Sequence, residues 1–127
     1  MQPIQVAATN SPPALWQLAF RAGFLLAASF AVLGMARWLY WMWWPERWDF
    51  ALSPPWWHAH EMVFGFALPV VAGFLLTAVA TWTGLPGTRG WRLQLLFGLW
   101  LTARCLLWLL PGQLLFAWLE EMLFITL

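Results

Sequence analysis

The chain contains no lysine, a single cysteine and very little charge of either sign. Charged residues make up 9% of its 127 residues and hydrophobic residues 63%, whereas about 25% of an average soluble domain is charged. Such a chain lacks the polar side chains that would cover a water-soluble globule. With six arginines against five acidic residues, it also lacks the basic stripe typical of proteins that bind nucleic acid. The lone Cys105 excludes an internal disulfide.

Apolar residues are abundant instead, and they form long stretches. Three stretches are long enough to cross a bilayer, which needs about 20 residues. We therefore predict an all-α, polytopic transmembrane helical bundle with three full spans and an incomplete fourth helix, in which residues 1–14 form a disordered cytoplasmic tail and residues 15–127 the transmembrane domain. The predicted helices cover residues 15–44, 54–81, 91–110 and 113–127. Thirteen tryptophans fit an aromatic belt at the membrane surfaces.

Proline and glycine mark the ends and the interior of these helices. Ser53 followed by Pro54 is typical of a helix start. Pro69 predicts a kink in the second helix, because proline lacks a backbone donor. The three glycines and one proline within residues 83–90 predict a loop.

Arginine placement predicts the orientation of the helices. Arg21 lies at the start of the first span, and Arg89 and Arg92 lie in and directly after the loop between the second and third spans. The first loop holds only Arg47, between two acidic residues. Because loops rich in arginine stay in the cytoplasm, we expect the N-terminus and loop 83–90 to be cytoplasmic, in a multi-pass protein of the bacterial inner membrane.

The charged residues inside the predicted spans fall at one depth. At 1.5 Å per residue, each lies about 10 Å inside the outer end of its helix. An isolated charge at that depth costs several kcal/mol, so such charges pair or line a wet cavity. We predict an ionic layer that joins Arg37 and Arg104 to Glu61 and to Glu120 or Glu121.

Two histidines begin the second helix, next to this layer. Imidazole binds iron, copper and zinc, and the thioether of Met62 is a soft donor. His58 and His60 are two residues apart, so they point about 200° apart on an ideal helix and do not serve one ion from one face. Two other interpretations stay open: a histidine that anchors the helix at the membrane surface, and a Glu61 that belongs only to a structural ion pair.

Four segments, in this order, resemble the NnrS family of bacterial membrane proteins. They are residues 15–26 (LWQLAFRAGFLL), 57–66 (WHAHEMVFGF), 71–79 (VAGFLLTAV) and 81–84 (TWTG). The segment 57–66 is the most specific of them. Family members are longer, and the chain is similar to their N-terminal third, so we expect it to be a fragment or a shortened form.

The resemblance implies a protein that contains haem and copper and is associated with nitric oxide metabolism and nitrosative stress. It makes the two histidines the candidate ligands without assigning either metal. If haem is bound, we expect Arg37 or Arg104 to pair with its propionates. Met62 and Cys105 are the soft donors available to copper. The candidate cofactor-binding residues are His58, His60, Glu61, Arg37 and Arg104, and the candidate metal ligands are His58, His60 and Met62.

Two further functions stay open at this point. One is a transporter or channel segment, with the ionic layer and the histidines as a proton or ion path. The other is a non-catalytic subunit that completes its fold with another membrane subunit or with a second copy of itself. No hydrolase or transferase motif is present in the sequence, so an enzymatic role would be a redox or NO-binding one. The lipid bilayer is the expected surrounding in each case, and nucleic acid is not an expected partner.

Overall fold

A computed structural model describes residues 13–49 and 52–109. In that part of the chain the secondary structure is entirely helical, which confirms the predicted fold class. We label the three long helices α1 (Ala19–Trp43), α2 (Pro54–Thr83) and α3 (Trp91–Leu109), and all three are long and apolar enough to cross a membrane. Short 3-10 turns at Ala14–Trp16 and Pro45–Arg47 precede and follow α1. The predicted tail before residue 13 and the predicted helix 113–127 lie outside the described residues.

Helix α2 changes its hydrogen-bonding pattern along its length. It starts as an α-helix over Pro54–His60, becomes a π-helix over Glu61–Ala67 and returns to an α-helix over Leu68–Thr83. In the π segment the N–H of Leu68 donates to the carbonyl of Val63, five residues earlier. The predicted kink at Pro69 therefore takes the form of a π segment that ends just before the proline.

Helices α1 and α2 pack together through small residues. Gly23 of α1 lies so close to α2 that an added Cβ would lie 2.5 Å from the Pro69 carbonyl oxygen and 2.9 Å from the Gly73 Cα. Across the same contact, the N–H of Phe20 donates to Thr77 Oγ1 at 3.1 Å. Small residues allow the backbones of transmembrane helices to approach closely, and this contact fixes α1 antiparallel to α2.

Helix α3 places one narrow face against the other two helices. Its buried residues recur every three or four positions, as expected for a helix with one packed face. They are Leu93, Phe97, Trp100, Arg104 and Leu107. Many large apolar side chains elsewhere on the bundle are exposed, Val32 at 70% and Val71 at 50% among them, as expected for surfaces in contact with lipid.

Candidate functional site

A buried ion pair joins α2 to α3. One terminal nitrogen of Arg104, Nη1, donates to both carboxylate oxygens of Glu61, each at 3.0 Å. The exposed fraction is 0% for the Glu61 side chain and 3% for that of Arg104. This part of the predicted ionic layer is present. Two charges this deeply buried need each other, because removal of either one leaves an uncompensated charge away from water.

Space for the Glu61 side chain depends on two neighbours. A Cβ added to Gly65 would lie 2.7 Å from Glu61 Oε2 and closer still to the ring of Phe30. Gly65 therefore leaves the room in which the carboxylate and the phenyl ring lie side by side. The sequence alone did not indicate a role for this glycine, although it follows Glu61 by four residues, about one turn along the same helix.

His60 lies beside the ion pair. Its Nδ1 is 3.5 Å from Glu61 Oε1, and its ring packs on Phe64 with 4.9 Å between ring centroids. Both ring nitrogens are buried, and 11% of the side chain is exposed. The carboxylate of Glu61 thus lies between a guanidinium and an imidazole, both inside the span.

His58 faces a different part of the bundle. Its ring stacks on Trp38 of α1, with centroids 4.3 Å apart and an interplanar angle of 29°. The Nδ1 of His58 is buried and has no hydrogen-bond partner within residues 13–49 and 52–109. His58 thus contacts α1, whereas His60 contacts Glu61. These different contacts agree with the prediction that the two side chains point in different directions.

Arg37 pairs with a loop carboxylate that the predicted ionic layer did not include. Its Nη2 donates to Asp49 Oδ1 at 2.7 Å, and its guanidinium lies 5.7 Å from the ring centroids of Tyr40 and Trp48. The Arg37 side chain is 23% exposed, whereas that of Arg104 is 3% exposed. Sequence distance along α1 could not show this pairing, because the Asp49 loop folds back over the helix end.

The end of the bundle that carries the histidines holds a continuous group of indole rings, which we call the tryptophan cluster. Neighbouring ring centroids in it are 4.8 to 6.0 Å apart. Its members are Trp38, Trp41, Trp48, Trp57 and Trp108. Trp57 is 1% exposed whereas the adjacent Trp56 is 73% exposed, so a surface belt accounts for only some of the tryptophans.

The remaining candidate ligands, Met62 and Cys105, lie on different helices. Met62 is half-buried in the π segment, and Cys105 is exposed on α3. Glu120 and Glu121 are outside the described residues. Within the part of the chain that the structure describes, no group of three or more His, Cys, Asp or Glu side chains is placed to hold a metal ion.

These features define an α-helical membrane protein with a buried Glu–Arg pair and two diverging imidazoles at one end of its second span. The family model described as "NnrS protein" matches residues 14–127, nearly the whole chain. The chain therefore belongs to the NnrS family. No curated protein and no solved structure matches it.

Proposed function

We propose that this NnrS-family protein binds haem and copper in the membrane and takes part in nitric oxide metabolism or the response to nitrosative stress. One observation carries the proposal: two imidazoles inside one span lie on different sides of α2, one stacked on Trp38 and one 3.5 Å from Glu61. A protein with two different metal centres needs such separated donors. Haem would supply a ferrous iron that binds NO.

The side chains present fit such groups. The buried Nδ1 of His58, which lacks a hydrogen-bond partner among the described residues, is a nitrogen donor of the kind that iron and copper accept. Indole rings beside His58 offer flat apolar surfaces to a porphyrin. Of the two arginines predicted to meet propionates, Arg37 is the partly exposed one, whereas Arg104 is occupied by Glu61. Met62 is the nearest soft donor in sequence to His60.

Glu61 and Arg104 would act on His60 without contacting a metal. A metal-bound histidine usually donates its second ring N–H to a carboxylate, which fixes the tautomer and the ring orientation. Glu61 lies on the Nδ1 side of His60, so it would hold the proton at Nδ1 and leave Nε2 as the donor nitrogen. Arg104 holds the carboxylate in place through a hydrogen bond to each of its oxygens.

The test is a comparison of cofactor content in single variants purified in mild detergent. We expect His58→Ala and His60→Ala each to lower one cofactor and to leave the other, as measured by the Soret absorbance and by copper analysis. Met62→Leu, which keeps the volume and removes the sulfur, separates a copper ligand from a packing residue. Glu46→Gln, a change in an exposed loop, is the control for purification losses. Unchanged haem and copper in both histidine variants would contradict the proposal.

A second candidate function, a proton or ion path, is supported by the group of buried ionisable side chains. Glu61 and His60 of α2 lie together with Arg104 of α3 inside the bundle, and ionisable residues within spans often mark proton or ion paths. Reconstitution in liposomes tests this function: proton flux that depends on Glu61, in protein without a Soret band, would favour it over the haem and copper proposal.

We also propose the orientation and the surroundings of the chain. Arg21, Arg89 and Arg92 belong to one end of the bundle, and Glu46, Arg47 and Asp49 to the other. The positive-inside rule then places the N-terminus in the cytoplasm of a bacterial cell, in the inner membrane. Protection of an N-terminal tag from protease in spheroplasts tests this. Chemical crosslinking tests for a second copy or another membrane subunit.

A further inference from the structure

A second site lies at the end of the bundle away from the histidines. There a pocket of about 190 Å³ forms between the stretch before α1, the last turns of α2 and the loop after α2. Polar groups from all three segments line it. They include Gln17, Thr77, Thr81, Thr88 and Arg89.

The walls of this pocket are held by specific contacts. The N–H of Gly90 donates to the carbonyl of Trp16 at 2.8 Å, which ties the loop to the stretch before α1. Gly84 ends α2 in the left-handed conformation, with φ of 67°, where glycine is favoured. A Cβ on Gly87 would lie 2.9 Å from the Ala80 Cβ, so the loop lies directly on the last turns of α2. The pocket is therefore part of the fold.

The pocket suits an anion. Arg89 lines it, and none of the lining residues is acidic. The hydroxyl protons of Thr77 and Thr81 are donated to main-chain carbonyls one turn earlier. The guanidinium of Arg89 and the hydroxyl of Thr88 are thus the side-chain donors on which the phosphate contact depends. Hydrogen bonds from a guanidinium to a phosphate are among the strong ones because both partners are charged.

The surroundings of the pocket suit an amphiphile. Leu85, in its wall, is 66% exposed, and two tryptophans at the ends of the flanking helices, Trp82 and Trp91, are 72% and 67% exposed. Exposed tryptophans at the ends of spans lie at the level of the lipid headgroups. We propose that this pocket binds the phosphate ester of an anionic phospholipid, with Arg89 as the principal charge and the acyl chains outside, along the apolar helices. This inference does not depend on the haem and copper proposal.

Arg89→Gln is the decisive variant, because it removes the charge at an exposed position and leaves the helices intact. Native mass spectrometry of the purified protein, titrated with short-chain phosphatidylglycerol, gives the dissociation constant. We expect Arg89→Gln to raise it about tenfold or more, the loss expected for a hydrogen bond to a charged group. Arg92→Gln is the matched control: its guanidinium packs over Trp91 outside the pocket, and a surface arginine near anionic lipid is worth about fivefold.

Two comparisons decide the outcome. Equal losses in Arg89→Gln and Arg92→Gln, or phosphatidylcholine bound as tightly as phosphatidylglycerol, would overturn the proposal, since either result means general attraction without a site. Competition by glycerol phosphate, which has no acyl chains, shows whether the bound phosphate ester belongs to a lipid or to a soluble ligand. If glycerol phosphate does not compete with phosphatidylglycerol, the pocket binds the lipid. If glycerol phosphate competes and Arg89→Gln abolishes this competition, the pocket is a phosphate ester site for a soluble ligand, and the lipid proposal is overturned.

Discussion

Trp100 of α3 donates its indole N–H to the main-chain carbonyl of Phe64 in α2, with 2.8 Å between nitrogen and oxygen. Phe64 belongs to the π segment, in which a carbonyl accepts from the residue five positions later. For Phe64 that residue is Pro69, which has no N–H. The indole therefore supplies the donor that the proline lacks, and the irregular part of α2 is stabilised by another helix, as non-helical backbone inside a membrane requires.

Trp100→Phe should destabilise the protein by about 1–3 kcal/mol, the cost of a buried polar group left without its hydrogen bond. The free energy of unfolding in mixed detergent micelles measures this. Trp91→Phe, at a position 67% exposed, is the matched control and should change little. In a Pro69→Ala background the main chain regains an N–H, so Trp100→Phe should cost less there. Equal costs in both backgrounds would show that the indole stabilises by packing alone.

Arg104→Leu should destabilise the protein by about 3–5 kcal/mol, because it leaves Glu61 charged and buried without its partner. The double variant Glu61→Leu with Arg104→Leu should cost less than the sum of the single changes, since no buried charge remains. Unfolding free energies of the four proteins give this coupling. Arg92→Leu, at an exposed position, is the control, and an equal effect of Arg92→Leu and Arg104→Leu would mean that the ion pair contributes nothing specific.

Gly23→Ala should loosen the contact between α1 and α2. The added methyl group would meet main-chain atoms of Pro69 and Gly73 at 2.5 and 2.9 Å, and backbone cannot rotate away as a side chain can. Overpacking of this kind costs about 1–3 kcal/mol. Gly98→Ala on α3 is the matched control, because nothing lies within 4 Å of its added Cβ and alanine favours a helix interior by up to about 1 kcal/mol. We therefore expect Gly23→Ala to lower the free energy of unfolding and Gly98→Ala to raise it. A Gly23→Ala variant that is more stable than the unchanged protein would contradict the close contact.

The sequence predicted the helices well because hydrophobic length alone separates spans from loops. The first span was predicted at residues 15–44 and is observed at Ala19–Trp43. The third was predicted at residues 91–110 and is observed at Trp91–Leu109. The common depth of Glu61 and Arg104 predicted that both belong to one ionic layer, and the structure pairs them. Depth does not give the rotation of a helix or the path of a loop, however, and so the pairing of Arg37 with Asp49 was not predicted.

The π segment illustrates a second limit. Pro69 indicated a disturbance in α2, but a proline permits a kink, a break or a π turn, and the choice depends on which donors neighbouring helices provide. Here the donor is Trp100, 36 residues beyond Phe64, a distance over which sequence periodicity carries no information. The burial of Trp57 in the tryptophan cluster depends in the same way on contacts with distant residues, Trp48 in the loop after α1 and Trp108 of α3.

Glu61→Gln tests whether the carboxylate positions His60. The change keeps the size of the side chain and removes its charge, so the Nδ1 proton of His60 loses its strongest nearby acceptor. Loss of such a partner usually lowers the affinity of the metal held by the histidine about 10–100-fold. We expect that loss for the one cofactor that His60→Ala also removes, measured as a dissociation constant against a competing chelator, while the cofactor that depends on His58 stays bound. Glu46→Gln, on the exposed loop, should change neither. If Glu61→Gln releases both cofactors together, the carboxylate only maintains the fold; if it releases neither, His60 does not depend on Glu61.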